Sequence, residues 1–218
     1  GSYAVYLTAM LHSLISKGFS PPGIQNPIGS DLVAVRTAGL IAALKTKPTH
    51  ILWIDSDITF PPFLAQTLME RDKDVVACNV VIKDLTGTQY ATNARIPEPD
   101  RSQQISSRGK SGIEPVRRTG LGVMMTKADV YYRIKFPWFG HKWYHRNGDD
   151  WRYDTNGAPI GPDDLESLDS KWRSSFEDWY LAERFEEAGI TMWVDHDLSA
   201  YIGHRGSCVF YPEGAGVG

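Results

Sequence analysis

Two short apolar runs constrain most strongly what this chain can fold into. The first spans residues 51–54 (ILWI), and the second spans residues 74–82 (DVVACNVVI) and is rich in β-branched side chains. Continuous apolar runs of this length are typical of strands buried on both faces of a sheet. Residues 63–71, between them, have helical character, and a strand, helix, strand order predicts a right-handed parallel crossover. The sequence therefore predicts an α/β fold.

Two carboxylates follow the first run, where the predicted strand ends. Asp55 and Asp57 are one residue apart, and ligands of open α/β sheets bind at the carboxyl ends of the strands. Carboxylates held this close repel each other unless they share a proton or a cation. A hard divalent ion such as Mg²⁺ or Mn²⁺ would relieve the repulsion and could also take oxygens from a diphosphate. The structural alternative is that Asp57 caps a helix beginning at Pro61 and Pro62.

Length and charge limit the classes of partner. The chain has 218 residues, 42% of them hydrophobic, and a net charge of −3, so we expect one large domain without a general basic surface for nucleic acid. Two isolated cysteines indicate buried thiols in a reducing compartment, and no run approaches the ~20 apolar residues of a membrane span. These features predict a cytoplasmic protein. A local basic patch is still expected from four residues that are close in sequence: Arg108, Lys110, Arg117 and Arg118.

Periodicity and turn residues predict the other elements. Apolar spacing indicates a helix over 3–16, and Ser30 offers the N-cap of a second helix that runs to about residue 44. Residues 116–126 are typical of one strand bent by Gly120 and Gly122. Residues 136–173 form an aromatic, irregular insert of the kind that serves as a binding loop or lid. Ser175 is the expected N-cap of a helix over 176–188, and a strand is expected over 190–194.

Five motifs occur in the order and at the spacing of a known enzyme family. They are ILWIDSDITF at 51–60, RTGLGVMM at 118–125, FEDWY at 176–180, AGI at 188–190 and GH at 203–204. With these motifs the chain resembles the inverting glycosyltransferases of the GT-A fold, a large family that includes many bacterial and phage enzymes. The resemblance implies a single GT-A domain over 1–218 with a mixed, mainly parallel sheet flanked by helices. It also implies transfer of a sugar from a nucleoside-diphosphate sugar, above all a UDP-sugar, to an acceptor hydroxyl.

The same resemblance implies a metal site. Asp57 and His204 would bind Mn²⁺ or Mg²⁺ bridging the diphosphate, and Asp55 would contact the nucleotide or the metal. A lone histidine such as His204 is, however, often only a hydrogen-bonding group. Family members usually begin with a strand that holds the nucleotide base, whereas this chain begins with a helix. Either that first strand is missing from this sequence, or the base is held in another way.

Asp178 matches the carboxylate that acts as general base, with Glu177 supporting it. A positioned carboxylate can take the proton of an attacking hydroxyl. The structural alternative is a capping box from Ser175 to Asp178, in which Asp178 only satisfies the first amide of the helix. The remaining residues implied by the resemblance are Gly120 and Gly122, beside donor sugar and acceptor, and Asp31 and Arg36, beside the nucleotide.

Two other functions fit parts of the sequence. Residues Asp55, Asp57 and Thr59 after a strand also match phosphohydrolases of the haloacid dehalogenase type, with Asp55 as nucleophile and Asp57 as acid/base. A non-catalytic module that binds sugar or nucleic acid through the aromatic insert and the arginines is the second alternative. For a transferase, the acceptor would be a glycan or a hydroxymethylated base of phage DNA, in the second case within the host cytoplasm.

Overall fold

A computed structural model describes residues 3–83, 91–92, 104–147, 150–153, 172–206 and 209–210. The helices are α1 (Tyr3–Ser16), α2 (Leu32–Lys45), α3 (Leu64–Glu70), α4 (Val130–Arg133), α5 (Glu177–Glu187) and α6 (His196–Ser199). The strands are β1 (His50–Ile54), β2 (Ile58–Thr59), β3 (Val75–Cys78), β4 (Ala91–Thr92), β5 (Gln104–Ile105), β6 (Ile113–Val116), β7 (Val123–Lys127), β8 (Lys142–Asn147), β9 (Asp150–Tyr153), β10 (Trp172–Ser175), β11 (Met192–Asp195), β12 (Gly203–Arg205) and β13 (Val209–Phe210).

The central sheet is mixed and has the strand order β1-β7-β3-β11-β6. β3 and β11 pair in parallel, whereas the β1–β7, β7–β3 and β11–β6 pairs are antiparallel. The α/β class and the mixed character of the sheet are confirmed at this coarse level, but the expectation that parallel pairs predominate is wrong. β1 and β3, which precede and follow α3 in the sequence, run in the same direction, but β7 lies between them. The first four residues of β7 are all buried, which suits a central strand.

The two predicted strands differ in burial. All four residues of β3 are buried, as the apolar run predicts, whereas only Ile51 is fully buried in β1. The prediction that β1 is buried on both faces is therefore wrong. The reason is its position, because β1 is the edge strand and pairs with β7 alone in this sheet.

The glycine segment is not one bent strand. Val116 ends β6 opposite Met192 at the start of β11, and Val123 begins β7 opposite Ile54 at the end of β1. Residues 117–122 must therefore cross the sheet from one end to the other. Leu121, within this crossing, belongs to the same hydrophobic cluster as Phe185 of α5 and residues of the sheet. The crossing brings Gly120 and Gly122 to the end of the sheet where β1 terminates.

The aromatic insert contains regular structure. β8 pairs with β9 and with β10 in a three-stranded antiparallel sheet, so the expectation of an irregular segment is wrong for these strands. Residues 154–171 of the insert lie outside the described residues. Another small sheet, in the order β13-β12-β2, joins the end of the chain to the segment that follows β1.

Two predicted N-caps are each displaced by one residue. The N-cap of α2 is Asp31, whose Oδ1 accepts from the Ala34 amide at 3.1 Å, and not Ser30. The N-cap of α5 is Phe176, which makes no side-chain capping bond. Ser175 does not cap α5, because it ends β10 and its hydroxyl accepts from the Lys142 amide at 3.2 Å. The capping box expected from Ser175 to Asp178 is therefore not formed.

The expected basic patch is largely neutralised. The Lys110 ammonium lies 2.5 Å from Glu114, Arg117 pairs with Glu186, and the guanidinium of Arg118, which is 2% exposed, lies 3.2 Å from Glu183. Each of these cations therefore already has an acidic partner within the protein.

Burial also determines the state of the described cysteine. Cys78 is a free thiol in β3, and its complete burial raises its pKa well above the ordinary value. Cys208 lies outside the described residues. None of the helices in the described ranges is long and apolar enough to cross a membrane.

Candidate active site

Asp55 and Asp57 lie in a tight turn between β1 and β2. The Asp55 amide donates to the Gly122 carbonyl at 3.0 Å, and the Ile58 amide donates to the Asp55 carbonyl at 3.1 Å. This turn places both carboxylates at the carboxyl end of β1, as the sequence predicts. Asp57 does not cap a helix, because α3 begins only at Leu64 and has no side-chain cap.

Strand pairing brings His204 to Asp57. His204 pairs with Ile58 across the β12–β2 ladder, and the Arg205 amide donates to the Asp57 carbonyl at 2.8 Å. His204 Nε2 then lies 3.4 Å from Asp57 Oδ2. The other ring nitrogen, Nδ1, lies 2.7 Å from the Val81 carbonyl oxygen. A carbonyl can only accept, so Nδ1 carries a hydrogen and Nε2 is the atom that faces Asp57.

Lys83 is a site residue that the sequence reasoning missed. Its Nζ lies 2.5 Å from Asp57 Oδ2, the same oxygen that His204 approaches. Partial burial of Asp57 acts to raise its pKa, but the Lys83 hydrogen bond and the His204 charge outweigh burial and lower the pKa below the ordinary value. The available signal was position, because Lys83 is the first charged residue after the apolar run that contains β3.

Arg36 links two carboxylates of the site. Its two terminal nitrogens each lie 3.2 Å from an acidic oxygen, Nη2 from Asp55 Oδ1 and Nη1 from Glu177 Oε1. Arg36 is 8% exposed and Glu177 is 5% exposed. Partial burial raises the pKa of Asp55, the Arg36 charge opposes this, and the charges of Asp57 and Glu177 reinforce the rise. Arg36 thus faces carboxylates within the protein, whereas the resemblance implied that it faces a nucleotide.

The expected three-residue metal set is only partly assembled. Asp57 and His204 lie together, but the Asp55 Oδ1 oxygen is held by Arg36. Across the described ranges, no group of three or more His, Cys, Asp or Glu side chains could hold a metal ion. One carboxylate and one imidazole do suit Mn²⁺ or Mg²⁺ when phosphate and water oxygens complete the coordination. The residues present therefore fit a cation held jointly with a diphosphate, with Asp57 and His204 as its protein ligands.

Asp178 lies at the start of α5, beside the glycine segment. Its Oδ1 accepts from the Trp179 amide at 2.7 Å, and its Oδ2 would lie 3.5 Å from a Cβ placed on Gly120. Burial raises the pKa of Asp178 to about 6, and the neighbouring Glu177 charge adds to the rise. A carboxylate with this pKa is ionised near neutral pH and is a stronger base than an ordinary aspartate.

Gly122 packs more tightly than Gly120. A Cβ on Gly122 would lie 3.1 Å from a Val80 methyl group, which is closer than ordinary contact. Gly122 therefore allows the crossing segment to approach β3, and its carbonyl holds the Asp55 amide. Asp31 is the expected site residue that does not join this arrangement, because its exposed side chain caps α2.

A serine, a histidine and a glutamate also meet elsewhere, at the end of β11. His196 Nδ1 lies 2.8 Å from the Ser107 hydroxyl, and Nε2 lies 3.0 Å from Glu114. Ser107 and His196 are buried, and the Asn79 side-chain amide donates to the same hydroxyl at 3.3 Å. A nucleophilic serine must be reachable by substrate. This buried arrangement instead holds residues 104–114 against the sheet.

Comparisons with known proteins inform the fold. Neither a family model nor a curated protein matches this chain. The chain is similar in structure to A197 from STIV. The similarity covers 90% of this chain and 78% of that chain, with a TM-score of 0.51 and 15% sequence identity. At this identity it concerns the fold alone.

Proposed function

We propose that this protein is a metal-dependent inverting glycosyltransferase with a GT-A-like fold. The observation that carries the proposal is the meeting of sequence-distant groups at one end of the sheet. The Asp55 turn touches Gly122, Arg36 joins Asp55 to Glu177, and the next residue, Asp178, lies beside Gly120. The raised pKa of Asp178 makes it a suitable base. It belongs to the same end of the sheet as Asp57 and His204, which suit a cation bound together with a diphosphate.

Asp178 is the proposed general base. It takes the proton of the acceptor hydroxyl while that oxygen forms a bond to the anomeric carbon of the donor sugar. The bond from the anomeric carbon to the diphosphate oxygen breaks at the same time, and the electron pair leaves with the nucleoside diphosphate. Because attack and departure take place on opposite faces of the sugar, the anomeric configuration inverts.

The leaving group carries negative charge that the site must balance. Asp57 and His204 would hold Mn²⁺ or Mg²⁺, which when bound neutralises charge that develops on the diphosphate. Arg36 holds Asp55 and Glu177 in place, because its guanidinium contacts both carboxylates, and its charge opposes the rise in the pKa of Asp55. The Glu177 charge in turn helps to raise the pKa of Asp178.

The two alternative functions gain less from the geometry. A phosphohydrolase would use Asp55 as nucleophile, but one oxygen of Asp55 is already paired with Arg36. A non-catalytic binding module would not need a carboxylate of raised pKa near two residues, Asp57 and His204, that suit a cation. Among acceptors, the pairing of Lys110, Arg117 and Arg118 with glutamates removes the main argument for DNA.

The test is turnover of nucleotide sugars. The protein is incubated with UDP-sugars and other nucleoside-diphosphate sugars in Mn²⁺, with and without glycan or hydroxymethylated DNA acceptors, and nucleoside diphosphate release is measured. We expect release that stops with chelator and in Asp178→Asn. Release of inorganic phosphate from a phosphomonoester by the same preparation, without turnover of any nucleotide sugar, would contradict the proposal.

A further inference from the structure

Lys83 lies on the carboxylate that the proposed function assigns to a divalent cation. Its ammonium is 2.5 Å from Asp57 Oδ2, and the two side chains are 42% and 40% exposed. An ion pair this exposed is weak, because water screens it and competes for both partners. The lysine is therefore held at Asp57 by an interaction that another cation can replace.

The geometry of His204 explains why this position requires a cation when the imidazole is neutral. The Val81 carbonyl fixes the hydrogen on Nδ1, so in the neutral ring Nε2 directs a lone pair toward Asp57 Oδ2 at 3.4 Å. A lone pair facing a carboxylate is unfavourable unless positive charge lies near both atoms. When the ring is neutral, the Lys83 ammonium, 2.5 Å from Asp57 Oδ2, provides that charge.

A second cluster of one lysine, one carboxylate and one histidine shows the contrast. Lys110 pairs with Glu114 at 2.5 Å, and Glu114 faces Nε2 of His196 at 3.0 Å. There the Ser107 hydroxyl can donate to Nδ1, so Nε2 can carry the hydrogen and donate it to Glu114. His196 thereby satisfies Glu114 without another cation. His204 cannot do so in its neutral form, because a carbonyl occupies the equivalent place.

We propose that Lys83 is an exchangeable counter-ion. In the ligand-free site its ammonium neutralises Asp57, and on ligand binding the divalent cation takes Asp57 while the ammonium moves to oxygens of the diphosphate. The inference rests on the proposed function for the identity of these ligands. It adds Lys83 to that function as a diphosphate-binding residue and predicts that this residue opposes binding of the metal alone.

The first measurement is Mn²⁺ binding to the full chain without nucleotide, followed by electron paramagnetic resonance. Lys83→Met keeps the aliphatic stem but removes the charge, and we expect it to bind Mn²⁺ about 3- to 10-fold more tightly than the wild type. Lys110→Met, which breaks an ion pair of similar length and exposure, is expected to leave Mn²⁺ affinity unchanged. Thermal unfolding verifies that both variants fold.

The second measurement is binding of inorganic pyrophosphate at saturating Mn²⁺. We expect Lys83→Met to bind pyrophosphate several-fold more weakly than the wild type, in contrast to its tighter binding of Mn²⁺. The reason is that the Lys83 ammonium, the cation that acts on the diphosphate beside Mn²⁺, is lost. Unchanged Mn²⁺ affinity in Lys83→Met, or an equal gain in Lys110→Met, would overturn the proposal that Mn²⁺ replaces Lys83 at Asp57. Unchanged pyrophosphate affinity in Lys83→Met would overturn the proposal that Lys83 binds the diphosphate. Either result leaves sugar transfer by Asp178 standing, since nucleotide-sugar turnover is assayed separately.

Discussion

The pKa of Asp178 is the single-residue property on which the proposed chemistry depends. It is raised to about 6, first by burial and then by the Glu177 charge. A base must be ionised to accept a proton, so we expect the transfer rate to fall as the pH drops through about 6. Asp178→Asn should lower the rate by about 10²- to 10⁴-fold. Initial rates between pH 5 and 8 measure both effects, and a flat profile would argue against Asp178 as the base.

The same raised pKa predicts a cost in stability. The pKa in the folded state lies above the ordinary value near 4, so folding favours the protonated form, and this contribution is lost as pH rises through about 6. We expect Asp178→Asn, which cannot ionise, to be more stable than the wild type at pH 7 by on the order of 1–3 kcal/mol. The two proteins should converge in free energy of unfolding near pH 4. Urea unfolding at both pH values provides the measurement.

Arg36 is the residue whose removal should damage the fold most directly. Arg36→Ala leaves Glu177 buried and Asp55 partly buried without their common cation, and breaking a buried ion pair costs about 3–5 kcal/mol. Arg133→Ala is the matched control, because its pair with Asp74 is exposed and should contribute less than about 1 kcal/mol. Equal losses in urea unfolding for the two variants would contradict the buried role of Arg36.

Among the elements, the glycine crossing of residues 117–122 positions the site. A methyl group on Gly122 would press against Val80 at 3.1 Å, so Gly122→Ala should displace the segment that holds the Asp55 amide and cost about 1–3 kcal/mol. Gly120→Ala places its methyl group in ordinary contact with Asp178 and should leave stability nearly unchanged while reducing transfer. Thermal unfolding and nucleoside diphosphate release distinguish the two variants, and a stable, active Gly122→Ala would refute this account.

The whole molecule should respond to the metal, because the site joins two parts of the chain that are far apart in sequence. His204 comes from β12 and Asp57 from the turn after β1, so a cation on both residues stabilises only the folded state. Mn²⁺ at 100 times its dissociation constant should add about 2.7 kcal/mol. We expect this gain to disappear in Asp57→Asn and to persist in Asp74→Asn, a carboxylate paired with Arg133. Thermal unfolding with and without Mn²⁺ is the measurement.

Local pattern was sufficient for the longer helices and for three strands of the central sheet. The helical spacing predicted α1 with the boundaries observed, and the apolar runs located β1 and β3. Gly189, with a φ of +70°, follows α5 where the sequence placed the end of that helix. These features depend on residues a few positions apart, and the physics of capping and periodicity acts over that range.

The sequence predicted the positions of the candidate residues where these depend on a strand end or a helix start, and their roles stay predictions. Asp55 and Asp57 follow β1, Asp178 lies in the first turn of α5, and His204 does meet Asp57 as the resemblance implied. The sequence by itself did not predict the contacts of residues whose partners are distant in sequence. Nothing near Arg36 in the chain indicates Asp55 and Glu177, and the predicted patch at Arg117 and Arg118 is paired with glutamates of α5.

By itself, the sequence determined the positions of α1, β1, β3 and α5, and that carboxylates stand at the end of β1 and the start of α5. Only the tertiary structure decided that β7 separates β1 from β3, that Lys83 reaches Asp57, and that Arg36 joins Asp55 to Glu177. The physical reason is that an apolar pattern specifies how deeply a strand is buried but not which strand lies beside it. Strand neighbours, and with them the charges that surround each carboxylate, are selected by packing of the whole chain.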